Sequence, residues 1–168
     1  IAAKMHNNTG ISGICGDCSL MALRAGKDNS FTSSTVSNAL NYAVTKKVAI
    51  INMSFGAIGA CDTTIQSAIN AARTAGSVVV VAAGNDAAQA SDTTPANCAN
   101  VIVVAAHKKN GVLTDDSNTG AIVDIMAPGG ESSATCDDTH ESIYSLGNDG
   151  LTTKNNNVNI CRQGTSMA

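Results

Sequence analysis

Two short, almost wholly apolar runs, residues 48–53 and 77–83, flank a helical stripe, and this alternation limits the fold more than any other feature of the chain. Ile65, Ala68, Ile69 and Ala72 recur at the spacing of one helix face, Asp62 stands where an N-cap belongs, and Gly76 follows the stripe as a C-terminal stop. A second stripe precedes them: Val36, Ala39, Leu40, Ala43 and Val44 predict a helix over residues 33–47. Ser33 or Ser34 is expected to cap it, and Lys46 and Lys47 suit the negative end of its dipole. Strands buried on both faces read as unbroken apolar runs, so residues 48–53 and 77–83 are expected to be interior strands of a parallel sheet. Helix, strand, helix, strand in this order is the signature of βαβ units.

Residues 101–105 and 121–126 are two further strand candidates, and residues 20–25 form a third, short one. After Gly129 the texture turns to Gly, Ser, Asp, Asn and Thr, which predicts loops over residues 130–159 with an extended piece near Ile143 to Leu146. The expected fold is therefore α/β: one doubly wound, mostly parallel β-sheet domain with helices on both faces. Aromatic residues make up 2% of the chain, so Val, Ile, Ala and Leu must build the core, and small side chains permit close helix-on-sheet packing. A net charge of -3 excludes the strong basic field of a nucleic-acid or anionic-membrane binder. No apolar run approaches the roughly 18 residues needed to span a bilayer.

Six cysteines fit an oxidising compartment. Full pairing allows about 15 arrangements. Cys61 and Cys98 each sit in a loop after a parallel strand or its neighbouring turn and are expected to pair, which leaves Cys15–Cys18 and Cys136–Cys161. Cys15-Gly16-Asp17-Cys18 is a lone CxxC without strand and helix around it, so a structural disulfide is preferred there to a redox site.

Four blocks carry chemistry: Ile50-Ile51-Asn52-Met53-Ser54-Phe55-Gly56, Val78-Val79-Val80-Val81-Ala82-Ala83-Gly84-Asn85, Val123-Asp124-Ile125-Met126-Ala127-Pro128-Gly129 and Gly164-Thr165-Ser166-Met167-Ala168. In kind and order they resemble the subtilisin-like serine peptidases, the subtilases. The resemblance implies that Ser166 is the nucleophile and Asn85 the side-chain donor of the oxyanion hole. It implies that Ser54, Phe55 and Gly56 offer an extended segment to a peptide substrate, and that Ala82, Ala83 and Gly84 line the pocket for the side chain before the scissile bond. Small residues there suggest broad specificity with a leaning to large apolar side chains, and Asp86 stands beside that pocket. Read on its own, Ser166 is better taken as a helix cap and Asn85 as a turn residue; the register of all four blocks reverses those readings.

The aspartate and histidine blocks of the family do not occur in these residues, so the chain reads as a partial catalytic domain, residues 1–168, incomplete at both ends. His6, His107 and His140 lack the family's Gly-Thr-His flank and read as surface residues. Asp115, Asp116 and Asp124 likewise lack an Asp-Thr-Gly context. The resemblance places a structural calcium near the turn at residues 5–11, but only Asn7 and Asn8 are offered there, without the carboxylates calcium favours; Asp137, Asp138 and Glu141 read as a solvated acidic loop. No metal ligand and no catalytic cofactor are assigned. Thr94-Pro95 is, by resemblance, a cis bond, and Pro128 a trans turn residue.

The leading expectation is a secreted, monomeric endopeptidase acting on proteins or peptides, with the isolated 168 residues inactive and poorly cooperative in unfolding. A noncatalytic, peptide-binding relative is the alternative, and upstream sequence distinguishes the two. A nucleotide-binding domain would need a G-x-G-x-x-G or G-x-x-x-x-G-K-[ST] loop, and neither is present.

Overall fold

Helix and strand positions follow the apolar periodicities closely. The computed structural model describes residues 1–27, 30–131, 142–150 and 153–168. Helix α1 spans Ser33–Thr45 and buries Val36, Leu40 and Ala43. Its cap is Thr32, one residue earlier than expected: Thr32 accepts from the Thr35 amide while the Thr35 side chain returns a bond to the Thr32 amide. Such a box satisfies two end donors and is worth about 1 kcal/mol over alanine. Helix α2 spans Thr63–Thr74 and begins at Asp62, whose carboxylate accepts from the amides of Thr64 and Ile65. All four stripe residues of α2 are buried, and Ile69 is wholly so, which stabilises the fold by about 1.5–3 kcal/mol for that side chain alone. Gly76 follows the α2 C-cap Ala75 at φ +92.

The strands are β1 (Gly26–Lys27), β2 (Ser30–Phe31), β3 (Ile50–Met53), β4 (Ala57–Ile58), β5 (Val78–Ala82), β6 (Thr93–Thr94), β7 (Ile102–His107), β8 (Ile125–Pro128), β9 (Ile143–Asn148) and β10 (Asn157–Arg162). A parallel sheet of order β3-β5-β7-β8 forms the frame, with Ile50 opposite Val78, Val80 opposite Ile102 and Val104 opposite Ile125. This is the parallel α/β sheet expected from the alternation and the subtilisin-like fold expected from the resemblance, but among the described residues the helices lie on one face of it and not on both. Both α1 and α2 cover the sheet face that carries Met53, Val79, Val81, Val103 and Ala105, and with them make one core cluster.

Four local expectations are corrected. Strand β3 is not buried on both faces, since Ile50 is 64% exposed on the face away from the helices. Residues 20–25 are not a strand: they line a cleft of about 600 Å3 together with α1 and β3 and join no ladder. The segment 121–126 becomes strand only at Ile125, because the chain is still turning at Gly120, where φ is +122. The region after residue 142 holds a full antiparallel hairpin, β9 with β10, rather than loops with one extended piece.

Cys15–Cys18 and Cys61–Cys98 are disulfides, as expected. Cys136, expected to pair with Cys161, lies outside the described residues, as do Asp137, Asp138, His140 and Glu141. The Thr94–Pro95 bond is cis. Pro128 sits at the end of β8, the outer strand of the sheet, where a missing amide costs no ladder bond.

Candidate functional site

Open parallel sheets place their ligand sites beyond the carboxyl ends of the strands. Here three segments converge at that edge: the exit of β3 (Ser54, Phe55, Gly56), the exit of β5 (Ala83, Gly84, Asn85), and the turn after β10 (Gly164, Thr165, Ser166). Ser166 lies in a tight turn closed by the Met167 amide on Gly164 O at 3.0 Å. Ser166 Oγ donates to Ser54 O at 3.1 Å, and Ser54 Oγ donates back to Ser166 O at 3.0 Å. Asn52 Nδ2 supports Ser54 Oγ at 2.9 Å.

Asn85 and Thr165 interlock. Asn85 Oδ1 accepts from the Thr165 amide at 2.8 Å and from Thr165 Oγ1 at 3.0 Å, while the Gly84 amide donates to Thr165 Oγ1 at 3.2 Å. With Oδ1 anchored, the amide rotation of Asn85 is fixed, and its Nδ2 is left as a donor on an exposed side chain. Gly164, at φ +118, must be glycine: a Cβ there would come within 3.0 Å of Asn85 Oδ1. Its amide bonds Gly129 O at 2.9 Å, which ties the Ser166 turn to the end of β8.

A cleft of about 200 Å3 runs beside the serine, lined by Phe55, Gly56, Ala82, Gly84, Asp86 and Thr93 together with Asn85, Thr165 and Ser166. Of the expected pocket residues, Ala82 and Gly84 line it. Ala83 is wholly buried in the core instead, and its carbonyl serves the turn from behind. Phe55 packs against Phe31, with ring centroids 4.8 Å apart. The Thr93 methyl lies against Gly56, where a Cβ would stand 3.0 Å from Thr93 Cγ2. On the other side of Ser166 a second cleft of about 340 Å3 opens between Asn52, Val80, Val104 and the β9–β10 hairpin.

Sequence reasoning missed three contributors. They are Thr165, Thr93 and Asn118, none of which carries a local signal of its role. Asn118 is wholly buried behind Gly84 and Asn85. Only the run Ser117-Asn118-Thr119-Gly120 was visible, and such a run signals a turn in any protein.

His6 lies in an exposed turn at φ 56, and His107 Nδ1 pairs with Lys108 O at 2.7 Å. Neither is among the bonded partners of Ser166. The groups with displaced pKa values lie away from the cleft. Asp62 and Asp149 are held below the ordinary carboxylate range, Asp62 by the amide of Thr64 and Asp149 by the side chain of Asn156. Lys108 is raised by its bonds to Glu131 and then Asp115. The turn at residues 5–11, where the resemblance suggests a calcium ion, offers Asn7 and Asn8 as its only side-chain carbonyl oxygens. Asn7 Oδ1 already accepts from the Thr9 amide, and no carboxylate is present. Among the described residues no cluster of three or more His, Cys, Asp or Glu is placed to hold a metal, and no helix is long and apolar enough to cross a membrane.

The model of the Subtilase family matches residues 1–168. An extracellular protease of Xanthomonas campestris pv. campestris is 38% identical over 178 residues, covering 100% of this chain and 29% of the relative. Thermitase of Thermoactinomyces vulgaris is 37% identical over 130 residues, covering 76% of this chain and 46% of its own. Among solved structures, a protease from Pseudoalteromonas arctica superposes with a TM-score of 0.93 at 33% identity, covering 99% of this chain and 52% of that one. The chain thus spans between about a third and a half of the length of these relatives.

Proposed function

The chain belongs to the subtilase family, and from that premise we propose that the full-length protein is a secreted serine endopeptidase using Ser166 as nucleophile. The observation that carries this reading is the interlock of Gly164-Thr165-Ser166 with Gly84-Asn85, which brings the Ser166 turn and the Asn85 carboxamide together at one edge of the sheet. A base takes the Ser166 proton as Oγ attacks the peptide carbonyl carbon. The carbonyl oxygen, now an oxyanion, is received by the Ser166 amide and Asn85 Nδ2, which stabilise it without reorganising. Collapse expels the amine, which takes the proton, and water then hydrolyses the ester on Ser166.

Ser166 bonds to no imidazole among the described residues, and the cleft on its open side is wide enough to admit one. On this reading the base and its orienting carboxylate are supplied from outside the described residues, and the 168 residues form part of one catalytic domain. By themselves they have no turnover. No cofactor takes part, in keeping with the family.

Ser54, Phe55 and Gly56 hold the substrate backbone in an extended form, and the cleft over Ala82, Gly84 and Thr93 takes its side chain. Small residues in that cleft support broad specificity with a leaning to large apolar side chains. Secretion is supported by the disulfides and by relatives named as extracellular proteases. The protein acts on proteins and peptides as a monomer, without a nucleic-acid or membrane partner. The test is casein and peptide-anilide hydrolysis by the full-length protein. Turnover that disappears in Ser166→Ala is expected, and turnover that survives it would refute the assignment.

A further inference from the structure

Asn118 has no exposed surface, and every hydrogen-bonding position of its carboxamide is occupied, three on the loop that carries Asn85 and the fourth on Thr93 of β6. Its Nδ2 donates to Ala83 O at 3.1 Å and to Thr93 Oγ1 at 3.0 Å. Its Oδ1 accepts from the Asp86 amide at 2.9 Å and the Ala88 amide at 3.1 Å. Its own amide donates to Gly84 O at 2.9 Å. The bonds straddle Asn85: Ala83 and Gly84 are held on one side, Asp86 and Ala88 on the other.

The platform beneath is itself fixed. Ser117 Oγ accepts from the Ala106 amide at 3.0 Å and donates to Asn118 O at 3.1 Å, which roots the residue on β7. The turn it holds needs such support. Ala87 has φ +51, a conformation that a non-glycine residue of a free chain visits only in passing, and Gly84, at φ +109, is a residue whose backbone is free to move unless it is held. An oxyanion donor works by standing in place before charge develops, so freedom in this turn would be lost catalysis.

We propose that Asn118 is a positioning residue for the oxyanion hole: its buried carboxamide fixes the backbone on both sides of Asn85 and thereby aims the Asn85 side chain at the reacting carbonyl. The proposal rests on the reading of Asn85 as an oxyanion donor. Thr165 sets the rotation of the Asn85 amide group, whereas Asn118 sets where the Asn85 backbone stands.

The test uses the full-length enzyme, a peptide anilide with alanine before the scissile bond, and the variants Asn118→Ser, Asn118→Asp, Asn85→Ala and the corresponding doubles. Asn118→Ser is expected to lower kcat about 10- to 100-fold, as misplacement of a catalytic group does, with KM changed less than threefold. In the Asn85→Ala background the same substitution is expected to lower kcat less than twofold, because the group it positions is gone. An unchanged kcat in Asn118→Ser, or an equal loss in both backgrounds, would overturn the proposal in favour of a purely structural asparagine. An Asn85→Ala enzyme with undiminished kcat would instead overturn the oxyanion reading itself, and the positioning role with it. Should neither Asn118 variant fold, amide exchange in the unaltered protein decides: slow exchange at Asp86 and Ala88 is expected, and exchange at the open-loop rate overturns the proposal.

Discussion

Replacing Gly84 by alanine should be among the most damaging single-methyl changes in this fold. Two effects add. At φ +109 an alanine is strained, which costs about 1–3 kcal/mol. Its Cβ would also fall 2.2 Å from Asn118 Nδ2 and 3.0 Å from Asn118 Cγ, so the buried carboxamide must move. Moving it breaks at least two of its bonds and strands buried partners, which adds about 2–4 kcal/mol. Gly76 provides the control. It has a similar φ of +92 but nothing within 4 Å of the would-be Cβ, so Gly76→Ala carries the backbone strain alone. The assay is urea unfolding of both variants in the full-length protein, followed by far-ultraviolet circular dichroism in a Ser166→Ala background to suppress self-digestion. The midpoint of Gly84→Ala should fall well below that of Gly76→Ala at equal slope. Midpoints that coincide would refute the interlock between Gly84 and Asn118.

Asn85→Ala should reduce turnover by about 10²–10³ with little change in KM; that figure was measured on the matching asparagine of subtilisin and is carried over from it. Asp62 is held below the ordinary carboxylate range by the α2 amides, so its charge stabilises the fold above the unfolded value of about 3.9 and this contribution is lost as pH falls through the lowered folded value. The stability gap between the parent and Asp62→Asn, read by denaturant unfolding, should therefore be full at pH 7 and close towards pH 2. Cys61–Cys98 closes a far longer loop than Cys15–Cys18, a separation of 37 against 3. Removing the first by paired serine substitution should cost about 4 kcal/mol and the second about 2, on the chain-entropy relation. Thr93→Ser removes the methyl group that lies against Gly56 and keeps the hydroxyl for Asn118; kcat/KM for large side chains relative to alanine should rise roughly 10-fold.

What the sequence made legible is what local chemistry determines. The α2 stripe, its Asp62 cap and its Gly76 stop all lie within a few residues of one another, and each stands where expected. The β5 run and its Gly84-Asn85 exit were readable for the same reason. Residues 20–25 and Ile50 were misread because burial is a property of neighbours, and those segments face a cleft and an open sheet face. The β10 strand was missed although Val158 and Ile160 alternate with polar residues, since asparagines before and between them mimic a loop. Thr165 and Asn118 act on partners 80 and up to 35 residues away. No local pattern marks such contacts, and they hold the site together.

The most direct measurement is treatment of the full-length, folded protein with a fluorophosphonate probe, followed by mass-spectrometric mapping of the adduct. A single adduct on Ser166, lost in Ser166→Ala and slowed in Asn85→Ala, is the expected result. A folded protein that takes no label, or takes it at another serine, would contradict the assignment of Ser166 as the nucleophile.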